Sequence, residues 1–139
     1  RSRTNAVRGW RTPVRSPECP ERGPHVANKL SDVSTSSAHL GLFAALPVAA
    51  EATTSRVVVN NPLLRVVVFA FDTGEMLTDH SSPRAVVVHL LEGAVRFTYG
   101  GTEHAMVTGD VIYLAPGERH SLVADSPSRL SLVMVDRED

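Results

Sequence analysis

In the stretch "GEMLTDHSSPRAVVVHLLEG", residues 74 to 93, His80 stands between two runs that read as buried strands. An imidazole there titrates near neutrality, accepts or donates hydrogen bonds, and ligates divalent metals, so His80 is a candidate for acid–base, metal or binding chemistry. His120 is a second such residue, entering the strand "HSLVA" after the turn "APGER". The acids Glu75, Asp79, Glu92, Glu103, Asp110 and Glu118 fall at strand ends or beside turns, where a solvated rim is expected rather than a pair of carboxylates aimed at one point. The chain shows no Ser-His-Asp spacing, phosphate-binding loop or GxGxxG. Its single cysteine, Cys19, excludes an internal disulfide and a thiolate zinc site, which fits a cytoplasmic protein.

These candidates need a scaffold, and the sequence predicts an all-β one. From residue 55 onward, short β-branched runs ("RVVVN", "LLRVVVFAF", "AVVVHLLE", "AVRFTYG", "EHAMV", "DVIYLA", "HSLVA", "LSLVMV") alternate with turn signals such as "NNP", "DTG", "YGG" and "APGE". Eight strands at this spacing, with no room for crossover helices, indicate an antiparallel sandwich or barrel. The three-valine runs are apolar on both faces and need cover on both, from the opposite wall or from a second subunit, so a homodimer is expected. "SSAHLGLFAA", residues 36 to 45, has serine N-caps and apolar residues at 40, 43 and 44, and predicts one short helix ended by Pro47, a lid or brace.

At 139 residues the chain has the length of one domain, and 42% hydrophobic with 21% charged residues is an ordinary globular composition without a membrane-spanning run. Residues 1 to 25 carry a net +4 and the remainder −5, with one lysine, Lys29. An acidic domain of that kind is unsuited to a nucleic-acid backbone. Residues 1 to 30, with four prolines and six arginines, read as a disordered leader, either untranslated in the native protein or foreign to it. "ERG" before Val26 resembles a translated ribosome-binding sequence, so we expect the native start near Val26; peptides covering residues 1 to 20 in protein from its own host would refute this. Residues 31 to 54 then form the helix and linker, and 55 to 136 the barrel.

The spacing of two segments resembles the paired motifs of the cupin superfamily, G-x5-H-x-H-x3-E-x6-G and G-x5-P-x-G-x2-H-x3-N. Gly74, His80, Ser82, Val86 and Gly93 keep every interval of the first; Gly109, Ala115, Gly117, His120 and Ala124 keep every interval of the second. The resemblance implies a double-stranded β-helix, or jelly-roll barrel. It also implies a metal position, for Fe, Mn, Ni, Cu or Zn, served by two His and a Glu from the first motif and one His from the second. His80 and His120 retain two of those ligands. Ser82 and Val86 replace the other two, and neither a neutral hydroxyl nor an isopropyl group offsets a divalent charge. His104 is a candidate to restore a ligand, with its facing open; His89 should face away from the barrel if Val86 faces in, by the period of two. His25 and His39 lie outside the barrel.

Three functional readings follow. In the first, the two imidazoles with Ser82 form a polar spot in an apolar cavity lined by Met76, Val86, Phe97 and Met106, which binds a small molecule or a loosely held metal. In the second, the chain is a metal-dependent enzyme of dioxygenase or isomerase type using His80 and His120. In the third, the barrel is structural or binds a partner, and the imidazoles only satisfy each other, Thr78, Ser82 or a water.

Overall fold

The computed structural model describes residues 30 to 136. Apart from Leu30, the expected leader and the start near Val26 lie outside that span. Nine strands follow one short helix: α1 (Leu42–Ala45), β1 (Thr53–Asn60), β2 (Leu64–Phe71), β3 (Met76–His80), β4 (Ala85–Glu92), β5 (Ala94–Tyr99), β6 (Thr102–Val107), β7 (Val111–Leu114), β8 (His120–Ala124) and β9 (Ser128–Val135). They form a five-stranded sheet in the order β1-β2-β9-β4-β7 and a four-stranded sheet in the order β3-β8-β5-β6, with every ladder antiparallel. This is the all-β double-sheet architecture expected from the turn spacing. The strand absent from the expectation is β3, because "MLTDH" lacks both β-branched enrichment and alternation.

The core fills the space between the sheets. Val67, Phe69 and Phe71 of β2, Val86, Val88 and Leu90 of β4, and Leu130, Leu132 and Met134 of β9 meet Val95, Phe97, Met106, Leu122 and Ala124 from the other sheet. Strict alternation on β9 buries every second residue, so the period of two decides which side chains enter the barrel.

β2 is buried on both faces, as its apolar run requires. Its outer residues Val68 and Ala70 are covered from within the chain, by Leu46 with Leu42 and Val48 of the segment around α1. At this place the brace supplies the cover. Four helical residues cannot hold themselves, so tertiary contacts must. Arg129 supplies them from β9: its Nε donates to Leu46 O at 3.1 Å, its Nη2 donates to Phe43 O at 3.1 Å, and the guanidinium lies 4.5 Å from the Phe43 ring centre. Glu92 completes the arrangement as the ion-pair partner of Arg129.

The helix is shorter than the sequence predicts. Gly41 occupies its N-cap position in the left-handed region at φ 68°, which ends the helix on that side, and no serine caps it. Ser37 Oγ bonds the His39 ring instead, and Leu40 is 88% exposed, so the spacing at 40, 43 and 44 does not describe the buried face. Farther along the same sheet, Val111 and Tyr113 of β7 stay largely exposed.

Gly93 joins β4 to β5 where a side chain has no room. A Cβ there would lie 2.2 Å from Ser128 Oγ and 2.6 Å from Pro127 O, and its φ of 106° is strained for any other residue. Ser128 is fully buried and anchors the same corner, accepting from Ala94 N and donating to Ser126 O.

Candidate functional site

His80 ends β3 and His120 begins β8, and the two are direct cross-strand partners. Plain alternation would not aim both inward. Leu77 pairs with Leu122 and His80 with His120, so three steps along β3 match two along β8, with a register irregularity between them. A bulge of one residue restores the facing: Leu77 and His80 both look into the barrel, although they are an odd number of residues apart. The bulge also supplies a partner, since His80 Nδ1 lies 2.6 Å from Thr78 O. His120 Nδ1 is held the same way, 3.0 Å from Glu118 O.

A carbonyl oxygen only accepts, so in both neutral rings Nδ1 carries the proton and Nε2 the lone pair. The rings meet edge to face, with centroids 4.2 Å apart and planes at 62°. Phe97 stacks on His120 at 5.7 Å. Burial pushes the pKa of both imidazoles down; for His80 the neighbouring His120 adds to the effect, while the hydrogen bond to Thr78 opposes it. Burial thus favours the neutral form of both rings, with Asp79 acting on both, Glu118 on His120 and Arg119 on His80.

The inner face of the four-stranded sheet continues across β5 and β6. Tyr99 pairs with His120 on one side and Thr102 on the other, and Phe97 pairs with both Leu122 and His104. His104 therefore faces inward, stacked on Tyr99 at 4.8 Å, with its Nε2 buried and without a hydrogen-bond partner. It stands two strand spacings from β8, roughly 10 Å, so it does not join the His80–His120 pair as a third close ligand. His89 lies exposed on the outer face, as the period of two predicts.

The remaining predicted residues divide. Val86, Phe97 and Met106 are buried in the main core. Met76 is a correction: it pairs with outward-facing Val123 and is 53% exposed, and Leu77 takes the inward place. Ser82 is bound into the turn after β3, where its Oγ accepts from Arg84 N at 3.1 Å and its carbonyl accepts from Gly117 N at 2.7 Å. The acids keep to the rim: Asp79 pairs with Arg119, Glu103 and Asp125 with Arg96, Asp136 with Arg84, and Glu75 accepts from Thr53.

Two inward residues escaped the sequence reading although the pattern contained them. Tyr99 shares parity with Phe97. Arg65 shares parity with Val67, Phe69 and Phe71, and its register partner is core residue Met134.

The donor set does not suit the metal centre that the motif spacing implies. Two imidazole rings meet edge to face, Ser82 is tied into its turn, and Val86 offers no donor. Among the described residues no three His, Cys, Asp or Glu side chains come together as a metal site requires.

The sequence profile of the cupin domain family matches residues 67 to 136, about half of the chain. The chain is a cupin. Among solved structures, this cupin is similar to a conserved protein of unknown function from Streptococcus pyogenes, at 26% identity and TM-score 0.68, covering 81% of this chain and 99% of that one. It is similar in fold to a cupin superfamily protein from Desulfitobacterium hafniense, at 14% identity and TM-score 0.67 over 78% and 99% of the two chains. A salicylate 1,2-dioxygenase from Pseudaminobacter salicylatoxidans shares the fold at 19% identity and TM-score 0.58, over 63% of this cupin and 27% of that chain. Comparison with curated proteins returns no match. No helix among the described residues of this cupin is long and apolar enough to cross a membrane.

Proposed function

We propose that this cupin is a binding protein that takes a small organic molecule at the histidine end of its barrel, without a resident catalytic metal. The observation that supports it is the His80–His120 contact at 4.2 Å, two imidazoles that burial holds toward the neutral form beside the core residue Phe97. Few polar groups in an apolar interior are the usual composition of a small-molecule pocket. Neutral imidazoles are suited to hydrogen bonding with ligand O–H or N–H groups, and the Nδ1 contacts to Thr78 and Glu118 fix the orientation of the two rings.

The test is a library of small aromatic and aliphatic compounds screened by saturation-transfer NMR on wild type, His80→Phe and His120→Phe. Compounds that bind wild type and lose binding in both variants support the reading. Binding that survives both substitutions refutes it.

One feature favours a second reading, a metal-dependent enzyme of dioxygenase or isomerase type. An imidazole whose Nδ1–H is anchored on a carbonyl presents Nε2 as metal-ligating histidines do. Elemental analysis of protein purified without a histidine tag separates the two. Stoichiometric metal, lost in both histidine variants, supports the enzyme; a small fraction of an equivalent, unchanged by the substitutions, supports the binding protein.

A further inference from the structure

Arg65 is the charge that the function above does not use. It lies on β2 with its register partner Met134 in the core, and it shares the inward parity of Val67 and Phe69. Its Nε is buried and has no hydrogen-bond partner. Arg84, the cation whose charge it feels, already has an acid: its Nε sits 2.7 Å from Asp136. Burial and that like charge together press the Arg65 guanidinium below the ordinary arginine range, the mark of a cation short of counter-charge.

The topology sets Arg65 at the same end of the barrel as the histidines. The row Arg65, Met134, Val86, Leu114 crosses the five-stranded sheet. Val86 stands just after the Ser82 turn that leaves His80, and Leu114 just before the turn that enters His120. The opposite sheet presents the row His80, His120, Tyr99 at that end. Arginine and imidazoles thus share one end of the interior, while Asp79 and Asp136 are held by Arg119 and Arg84.

We propose that this end of the barrel binds the carboxylate of a small acid with an apolar body, and that the Arg65 guanidinium is its counter-ion. This rests on the binding-site reading and names the class of its ligand. A planar carboxylate matches the guanidinium fork, and one negative charge balances one half-buried cation. The apolar part would lie against the edge of the core that Val67, Met134, Val86, Leu114 and Phe97 belong to. A doubly charged phosphate ester would find one cation without an acid partner, since Arg84 and Arg119 are already paired with Asp136 and Asp79, which is too little compensation.

The experiment compares benzoate, benzamide and benzylamine, three probes of nearly one shape, by titration calorimetry on wild type, Arg65→Met, Arg65→Lys and His120→Phe. Benzoate is expected to bind wild type at least about tenfold more tightly than benzamide, as a charge-assisted pair does over a neutral one, with benzylamine weakest. Arg65→Met is expected to erase the preference, and Arg65→Lys to keep part of it. Without ligand, Arg65→Met should melt at or above the wild-type temperature, since a half-buried guanidinium with an unsatisfied Nε has left. The proposal is overturned if benzoate and benzamide bind alike, if the preference survives Arg65→Met, if no probe binds, or if Arg65→Met is strongly destabilised, which would make Arg65 a structural partner. Equal binding of all three probes that vanishes in His120→Phe overturns the carboxylate assignment alone and leaves the binding-site reading intact.

Discussion

His80 and His120 face one another across an antiparallel ladder, edge to face at 4.2 Å, because β3 carries one extra residue between Leu77 and His80. If the same residues ran in plain alternation, without the bulge, His80 would lie an odd number of steps from Leu77 and turn to solvent. The bulge therefore determines the site as much as the histidines do, and its Thr78 carbonyl also orients the ring.

Stability should fall on mild acidification. The folded pKa of both imidazoles lies below the ordinary 6.5, so the unfolded chain binds more protons. The stabilising contribution is complete above about pH 6.5, is lost as pH falls toward the folded values, and levels off below them. In urea titrations, the His80→Gln, His120→Gln double variant should show a shallower slope than wild type between about pH 7 and pH 5, before carboxylates dominate. Equal slopes would mean the imidazoles are not held neutral.

Restoring the motif should create metal dependence. In the double variant Ser82→His, Val86→Glu, a carboxylate replaces a side chain only 3% exposed. Without an ion that buried charge should cost about 3 kcal/mol, and losing the Ser82 bond to Arg84 N about 1 kcal/mol more. Zinc or nickel should return most of it, read as a melting temperature that rises with the metal and drops with a chelator. A variant indifferent to both would show that the motif positions do not converge here.

Gly93→Ala should be among the most damaging single-methyl changes in the chain. The added Cβ meets Ser128 Oγ at 2.2 Å, in a backbone conformation that itself costs about 1 to 2 kcal/mol. We expect at least about 2 kcal/mol lost in urea denaturation. Gly109→Ala serves as the control: its φ is also positive, but a Cβ there meets nothing within 4 Å, so its loss should be smaller.

Arg129→Ala should release the brace. Two carbonyl contacts, the Glu92 pair and the Phe43 ring depend on this guanidinium, so about 2 kcal/mol is at stake. Amide exchange should rise from Leu42 to Val48 and along the outer face of β2. Arg129→Lys should restore little of the protection, because an ammonium cannot serve both carbonyls and the ring with one planar group. Unchanged exchange in that segment would place its anchor elsewhere.

Local sequence was enough for the all-β class, the rim positions of the acids, the outward facing of His89 and the motif spacing, because turn chemistry and the period of two are properties of neighbouring residues. The sequence also contained the parity that sends Arg65 and Tyr99 inward. It was silent on the β3 bulge, on the short α1, whose apolar spacing misled, and on the inward facing of His104. Each of those depends on which distant residue lies opposite: Leu122 and His120 for β3, Arg129 for α1, Phe97 for His104. Register between strands is chosen by the packing of the whole double sheet, so only the tertiary structure could decide that two histidines meet, and that an arginine shares their end of the barrel.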